Sequence, residues 1–136
     1  MTISQKQKTE LIERALAVRA NAHAPYSGYA VGAALLTKSG KVYDAVNVEN
    51  ASYPLSMCAE RNAIFKAVSE GEKNFEMIAI ASDNGGSPCG GCRQVMSEFG
   101  LDTKVLTIDK DGHVVLDSSV RELLPAAFQP EDLSED

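Results

Sequence analysis

The chain has 136 residues, 44% apolar and 24% charged, with a formal net charge of −6. That size and balance suit one globular domain over residues 1–136, able to bury a core without disulfide staples. The negative charge argues against a nucleic-acid partner, which needs clustered Lys and Arg, and no apolar run approaches the roughly 18 residues of a membrane span.

The start, Met1-Thr2-Ile3-Ser4-Gln5-Lys6, lacks the apolar stretch of a secretory leader. From about Ser4 to about His23, Leu11, Ala15, Val18 and Ala22 recur at helical spacing with Ile12 and Leu16 beside them, which predicts an amphipathic helix. Ala24-Pro25-Tyr26-Ser27-Gly28 breaks it. Tyr29 to Thr37 is almost continuously apolar, as in a strand covered on both faces. Ser39-Gly40 then turns the chain into a second strand, Lys41 to Val48. A helix follows from about Cys58 to Glu70, capped by Gly71. Met77 to Ala81 reads as a short buried strand, and Gly90 to Phe99 as a helix stopped by Gly100. Lys104 to Ile108 and His113 to Leu116 are expected strands, Ser119 to Leu124 a short helix, and residues 129–136 an acidic, frayed tail. This order predicts a mixed five-stranded sheet between helical layers, an α/β/α sandwich. Its two strand-helix-strand units are expected to make the middle of the sheet parallel.

All three cysteines fall in two motifs, Cys58-Ala59-Glu60 and Pro88-Cys89-Gly90-Gly91-Cys92. An odd count cannot close into disulfides within one chain, so metal binding in a reducing compartment, the cytoplasm, is expected. Three thiolates leave one tetrahedral position of a zinc ion free, the pattern of a catalytic site. Cys58 and Cys92 lie at or near predicted helix starts, where free N–H groups and the helix dipole favour the thiolate. Arg61 is the nearest cation able to offset the excess negative charge by hydrogen-bonding the sulfurs. Glu60, beside the metal motif, is placed to move protons. A lone C-x-x-C is more often a structural zinc knuckle or a redox turn than a catalytic site. The pairing with C-A-E, each motif opening a helix after a strand, favours catalysis. His23 and His113 read as surface residues and poor candidates for a fourth ligand. Asn47 and Glu49, two apart on a strand, project from one face and suit a sugar hydroxyl.

With these residues in view, the chain resembles the small, homotetrameric, zinc-dependent cytidine deaminases of pyrimidine salvage. The similarity is specific at Val31-Gly32-Ala33-Ala34-Leu35, Asn47-Val48-Glu49-Asn50-Ala51-Ser52-Tyr53, Cys58-Ala59-Glu60-Arg61 and Pro88-Cys89-Gly90-Gly91-Cys92-Arg93-Gln94. The wider zinc deaminase group carries H-x-E…P-C-x-x-C, and here Cys58 stands where that signature has His. The resemblance implies one Zn²⁺ per subunit on Cys58, Cys89 and Cys92, and hydrolytic deamination of cytidine and 2′-deoxycytidine. In that group zinc-bound hydroxide attacks C4 while a glutamate, here Glu60, shuttles protons. It further implies that Asn47 and Glu49 bind the ribose 3′-OH, and that Ala59 and the Ser87 to Cys89 loop hold the base through backbone groups. Tyr29 matches a pocket-lining position that is usually Phe, so the aromatic wall is kept and a hydroxyl added. Ala51 and Tyr53 match residues reaching across the subunit boundary, and Phe128 an aromatic that stacks on the base from a neighbouring subunit. As sequence alone, Phe128 after Pro125 more often reads as a hydrophobic anchor on its own domain, and the family pattern shifts the expectation to a shared site. Two other functions compete: a deaminase for another cytosine compound, and a zinc-stabilised interaction module. Glu49 speaks against the first, Glu60 and the unfilled ligand position against the second. A polynucleotide deaminase lacks support, because there is no Trp and no basic-aromatic stretch.

Overall fold

A computed structural model describes residues 3–133. Helix α1 spans Gln5–Val18 and opens with a capping box: Ser4 Oγ accepts from Gln7 N–H, and Gln7 Oε1 accepts from Ser4 N–H, both at 3.1 Å. It ends earlier than expected because Arg19–Asn21 tighten into a 3₁₀ turn. Strands β1 (Gly32–Thr37) and β2 (Val42–Val46) form the expected hairpin. Helix α2 (Ala59–Ser69) stops at Gly71, whose φ of +89° completes a Schellman turn in which Glu72 N–H donates to Ala67 C=O. Strand β3 (Phe75–Ala81), helix α3 (Gly90–Glu98), strands β4 (Lys104–Ile108) and β5 (Val114–Ser119), and helix α4 (Val120–Leu123) follow. Pro130–Leu133 makes a 3₁₀ turn, and the rest of the acidic tail lies outside the described residues.

The five strands run in the order β2-β1-β3-β4-β5. Only β3 and β4 pair in parallel; β1 pairs antiparallel with both β2 and β3. This corrects the expected parallel middle. Two strand-helix-strand units are present, but the Ser39-Gly40 turn folds β2 to the edge, so the β2-α2-β3 crossover passes over β1 and leaves it wedged between them.

The sheet separates two cores. On one face α1 buries Leu11 and Ala15 against Ala34, Leu36, Ala79, Leu106 and Ile108. On the other, α2 and α3 bury Ala63, Ile64, Cys92 and Met96 against Leu35, Ile78, Ile80 and Val105. Gly32 permits the close approach of α1, since a Cβ there would sit 2.3 Å from Ala15 O. The start of β1 pairs with the ends of β2 and β3, Gly32 lying opposite Val46 and Ala81. The helix openings of α2 and α3 reach this same end of the sheet through Cys58 and Cys89.

Candidate metal centre and active site

Cys58 and Cys89 are the N-cap residues of α2 and α3, in extended conformation, and Cys92 lies in the first turn of α3. Their side chains do not cap the helices themselves, leaving the sulfurs free for another partner. Cys89 Sγ lies 4.0 Å from Cys58 Sγ and 3.5 Å from Cys92 Sγ, and all three fall within 4.8 Å of one another. A tetrahedral zinc with bonds of about 2.3 Å needs sulfur–sulfur edges of about 3.8 Å. The three free thiols fit that ion, and no further His, Cys, Asp or Glu among the described residues groups with them.

Arg61 sits one helical turn after Cys58, and its Nη2 donates to Cys58 Sγ at 3.2 Å. Its Nε is buried without a hydrogen-bond partner. Of the three sulfurs, the guanidinium hydrogen-bonds Cys58. A hydrogen bond from Cys92, helped by Arg61, pulls the Cys58 thiol down to about 5 against the opposing effect of burial. The same bond, with burial and the nearby Glu60 charge, pushes Cys92 strongly up. Zinc binds sulfur as thiolate, so loading all three cysteines would release their protons.

Glu60 is 6% exposed in the first turn of α2. Burial raises its pKa first, and the Cys58 charge adds to this, while its own backbone N–H, the Cys92 thiol and Arg61 oppose it. A carboxyl so poised accepts and returns a proton more readily than a solvated one.

A cavity of about 210 Å³ lies against this cluster. Of the residues expected at the site, Tyr29, Asn47, Cys58, Ala59, Glu60, Ser87 and Cys89 line it. Val31, Ile80, Ser82 and Gly86 also line it and were not singled out as site residues. Ile80 and Ser82 had a signal, because α/β crevices open at the carboxyl ends of strands. A roomier groove beside α1, about 470 Å³, is lined by Gln7, Glu10, Glu13 and Arg14 and holds no cysteine or histidine.

Asn47 and Glu49 lie beyond the end of β2 rather than on the strand, and both are turned on the 26–31 segment. Asn47 Nδ2 donates to Tyr29 O (2.8 Å) and its Oδ1 accepts from Val31 N–H (2.9 Å). Glu49 Oε1 accepts from the N–H groups of Tyr26 and Ser27, both at 3.1 Å, and Oε2 from the Ser27 hydroxyl. These bonds, the Ser27 hydroxyl foremost, hold the Glu49 carboxyl below its ordinary range. Glu49 is buried and lies outside the lining of this cavity in the isolated chain. Ala51, Tyr53 and Phe128 lie outside the cavity; Tyr53 and Phe128 are 59% and 55% exposed, so Phe128 is no core anchor. His23 and His113 are exposed, as expected. His113 joins Asp109 and Asp111 in the β4–β5 turn, where the Asp109 carboxylate is used by Asp111 N–H, His113 N–H and the His113 ring.

Arg93 braces the second motif. Its Nε donates to Pro88 O (2.8 Å), Nη1 to Leu123 O (2.8 Å) and Nη2 to Ser87 Oγ (3.1 Å). The loop carrying Cys89 is thereby tied to α4, and Gln94 Nε2 extends the tie to Phe128 O at 3.0 Å.

Comparison with known proteins bears on this geometry. Residues 5–108 match the family described as cytidine and deoxycytidylate deaminase zinc-binding region. A cytidine deaminase from Halalkalibacterium halodurans is 48% identical over 128 residues, covering 92% of this chain and 96% of that protein. A probable cytidine deaminase from Dictyostelium discoideum is 46% identical over 134 residues, covering 96% and 90% respectively. The crystal structure of cytidine deaminase from Burkholderia pseudomallei superposes with a TM-score of 0.85 at 44% identity, covering 93% of this chain and 100% of that one. With three sulfurs grouped at two helix openings and the match spanning both motifs, the chain belongs to the zinc-binding cytidine and deoxycytidylate deaminase family.

Proposed function

We propose that this protein hydrolyses cytidine and 2′-deoxycytidine to uridine and 2′-deoxyuridine, releasing ammonia. The observation that carries this reading is the meeting of Glu60, Cys58 and Cys89 on the wall of one small cavity. Cys58, Cys89 and Cys92 would hold the zinc ion, which would supply the Lewis acidity that makes an attacking water acidic near neutral pH. Glu60 would take a proton from the water as its oxygen bonds to C4, and deliver that proton to N3 of the base. It would then move the proton of the new C4 hydroxyl to the exocyclic nitrogen, so that the C4–N bond breaks, ammonia leaves and the C4 carbonyl forms. The proton-accepting and proton-donating roles alternate on one carboxyl, so its raised pKa suits both.

The backbone of Ala59 and of residues 87–89 frames the base, and Asn47 with Glu49 binds the ribose 3′-OH. Three of roughly four acceptor positions on the Glu49 carboxylate are occupied, which leaves one for a sugar hydroxyl. At about 210 Å³ the cavity is smaller than common ligand pockets of about 300–1,000 Å³. Exposed Tyr53, Phe128 and Ala51 supply the missing walls when copies assemble, which supports a homotetramer with shared sites. Among the described residues no helix is long and apolar enough to cross a membrane. The three free thiols suit a reducing cytoplasm, and the proposed conversion of free nucleosides suits pyrimidine salvage.

The test is loss of near-ultraviolet absorbance when zinc-loaded protein meets cytidine, with one ammonia formed per nucleoside consumed. Zinc-loaded protein with neither signal would overturn the reading. 3′-Deoxycytidine is expected to lower kcat/KM by about 10² or more, since a site built for a hydroxyl rejects analogues without it. Equal kinetics for the two nucleosides would remove Asn47 and Glu49 from the sugar site.

A further inference from the structure

Tyr29 joins two walls of the cavity through opposite ends of one residue. Its backbone belongs to the segment braced by Asn47 and Ser27: Tyr29 O accepts from Asn47 Nδ2 at 2.8 Å, and Tyr29 N–H donates to Ser27 Oγ at 2.9 Å. Its hydroxyl reaches across to the segment after β3, 2.7 Å from Asn84 Oδ1 and 3.0 Å from Ser82 Oγ. The amide oxygen only accepts, so the phenol proton goes to Asn84 and the Ser82 hydroxyl can donate back to the phenol.

Those two acceptors are also what folds the loop. Ser82 Oγ receives the N–H groups of Gly85 (3.0 Å) and Gly86 (3.3 Å), and Asn84 Oδ1 receives Gly86 N–H (3.2 Å). The glycines are required there. Gly85 has φ +70° and a Cβ on it would lie 2.5 Å from Val115 Cγ2, while a Cβ on Gly86 would meet Tyr29 Oη at 3.0 Å. The loop runs directly into Ser87-Pro88-Cys89, which carries a cavity wall and a metal ligand.

We infer that the Tyr29 hydroxyl is a positioning device: through Asn84 and Ser82 it fixes the 82–88 loop, and so the backbone that frames the base, against the Asn47 side of the cavity. This rests on the proposed cytidine reading for its kinetic consequence, though not for the tie itself. A tie that places the base-framing backbone before reaction acts equally on bound substrate and transition state, so its loss falls on KM.

Tyr29→Phe keeps the ring and removes the tie. With cytidine it is expected to lower kcat/KM about two- to tenfold, the range of one neutral hydrogen bond, with the loss carried by KM. Asn84→Ala is expected to show the same pattern, and the double variant to lose clearly less than the sum of the two, because both cut the shared Tyr29–Asn84 link. Additive losses, or a loss carried by kcat with KM unchanged, would overturn the proposal. Amide hydrogen exchange at Gly85 and Gly86 reads the tie without substrate. Faster exchange in metal-loaded Tyr29→Phe, with helix α1 unaffected, supports it; unchanged exchange overturns it. If the wild-type protein leaves cytidine untouched, the functional reading fails while exchange still decides this one.

Discussion

Beneath α1 the sheet is covered by Leu11, Ala15, Ala34, Leu36 and Ala79, and the packing is close enough that Gly32 has no room for a Cβ. Beneath α2 and α3 the same sheet covers Glu60, Cys92 and an unpaired nitrogen of Arg61. One face is spent on stability. The other tolerates buried charge because two helix openings, a guanidinium and a metal ion can compensate it together. The difference sets the two faces apart: the buried ionisable side chains Glu60 and Cys92 lie under α2 and α3, in the first turns of those helices.

The sharpest way to break this contrast is Glu60→Gln. Turnover is expected to fall by about 10²–10⁴-fold or more while zinc stays bound. The same change should raise the Tm of the metal-free protein at pH 7, because burial and the Cys58 charge make ionised Glu60 costly in the folded state. The sign follows from a folded pKa raised above 4.5. Stability from this group is full below the unfolded value and is lost as pH rises through the folded one. Melting curves of both metal-free proteins across that window check it, and a Gln variant that melts lower would make Glu60 a structural residue.

Next in size is Arg61→Ala, which removes the donor to Cys58. Zinc affinity measured by chelator competition is expected to drop by about 10–100-fold. On the apolar face, Gly32→Ala should cost about 1–3 kcal/mol of stability by driving α1 off the sheet, while the folded fraction keeps its zinc. Smallest is Ser4→Ala, which opens the capping box at the far end of α1 and should cost about 1 kcal/mol with no change in turnover. Equal kinetic damage from Gly32→Ala and Glu60→Gln would erase the distinction between the faces.

Much of this was legible in the amino acids because the signals are local. Lys104–Ile108 is a strand because its apolar run has turn residues at one end, and α2 ends at Gly71 because only a residue tolerant of φ +89° closes that turn well. The metal ligands were legible because thiols with that spacing have few other uses. What required the folded chain is non-local. Tyr29 to Val31 reads as strand, yet the strand starts at Gly32 because Asn47, from another segment, takes the Val31 N–H. The insertion of β1 between β2 and β3 leaves no mark on either strand's composition. The last strand continues past Leu116 to Ser119, where Asp117, Ser118 and Ser119 lie on an edge and carry no apolar pattern to announce it. Glu49 has the chemistry for a sugar site, but its service to Tyr26 and Ser27 appears only when the loop folds over it.

The most direct test is X-ray absorption at the zinc edge of the purified, zinc-loaded protein. Three sulfurs and one lighter atom around the metal, with the lighter atom retained in Glu60→Gln, is the expected result. No bound zinc, or four protein ligands completing the shell, would contradict it.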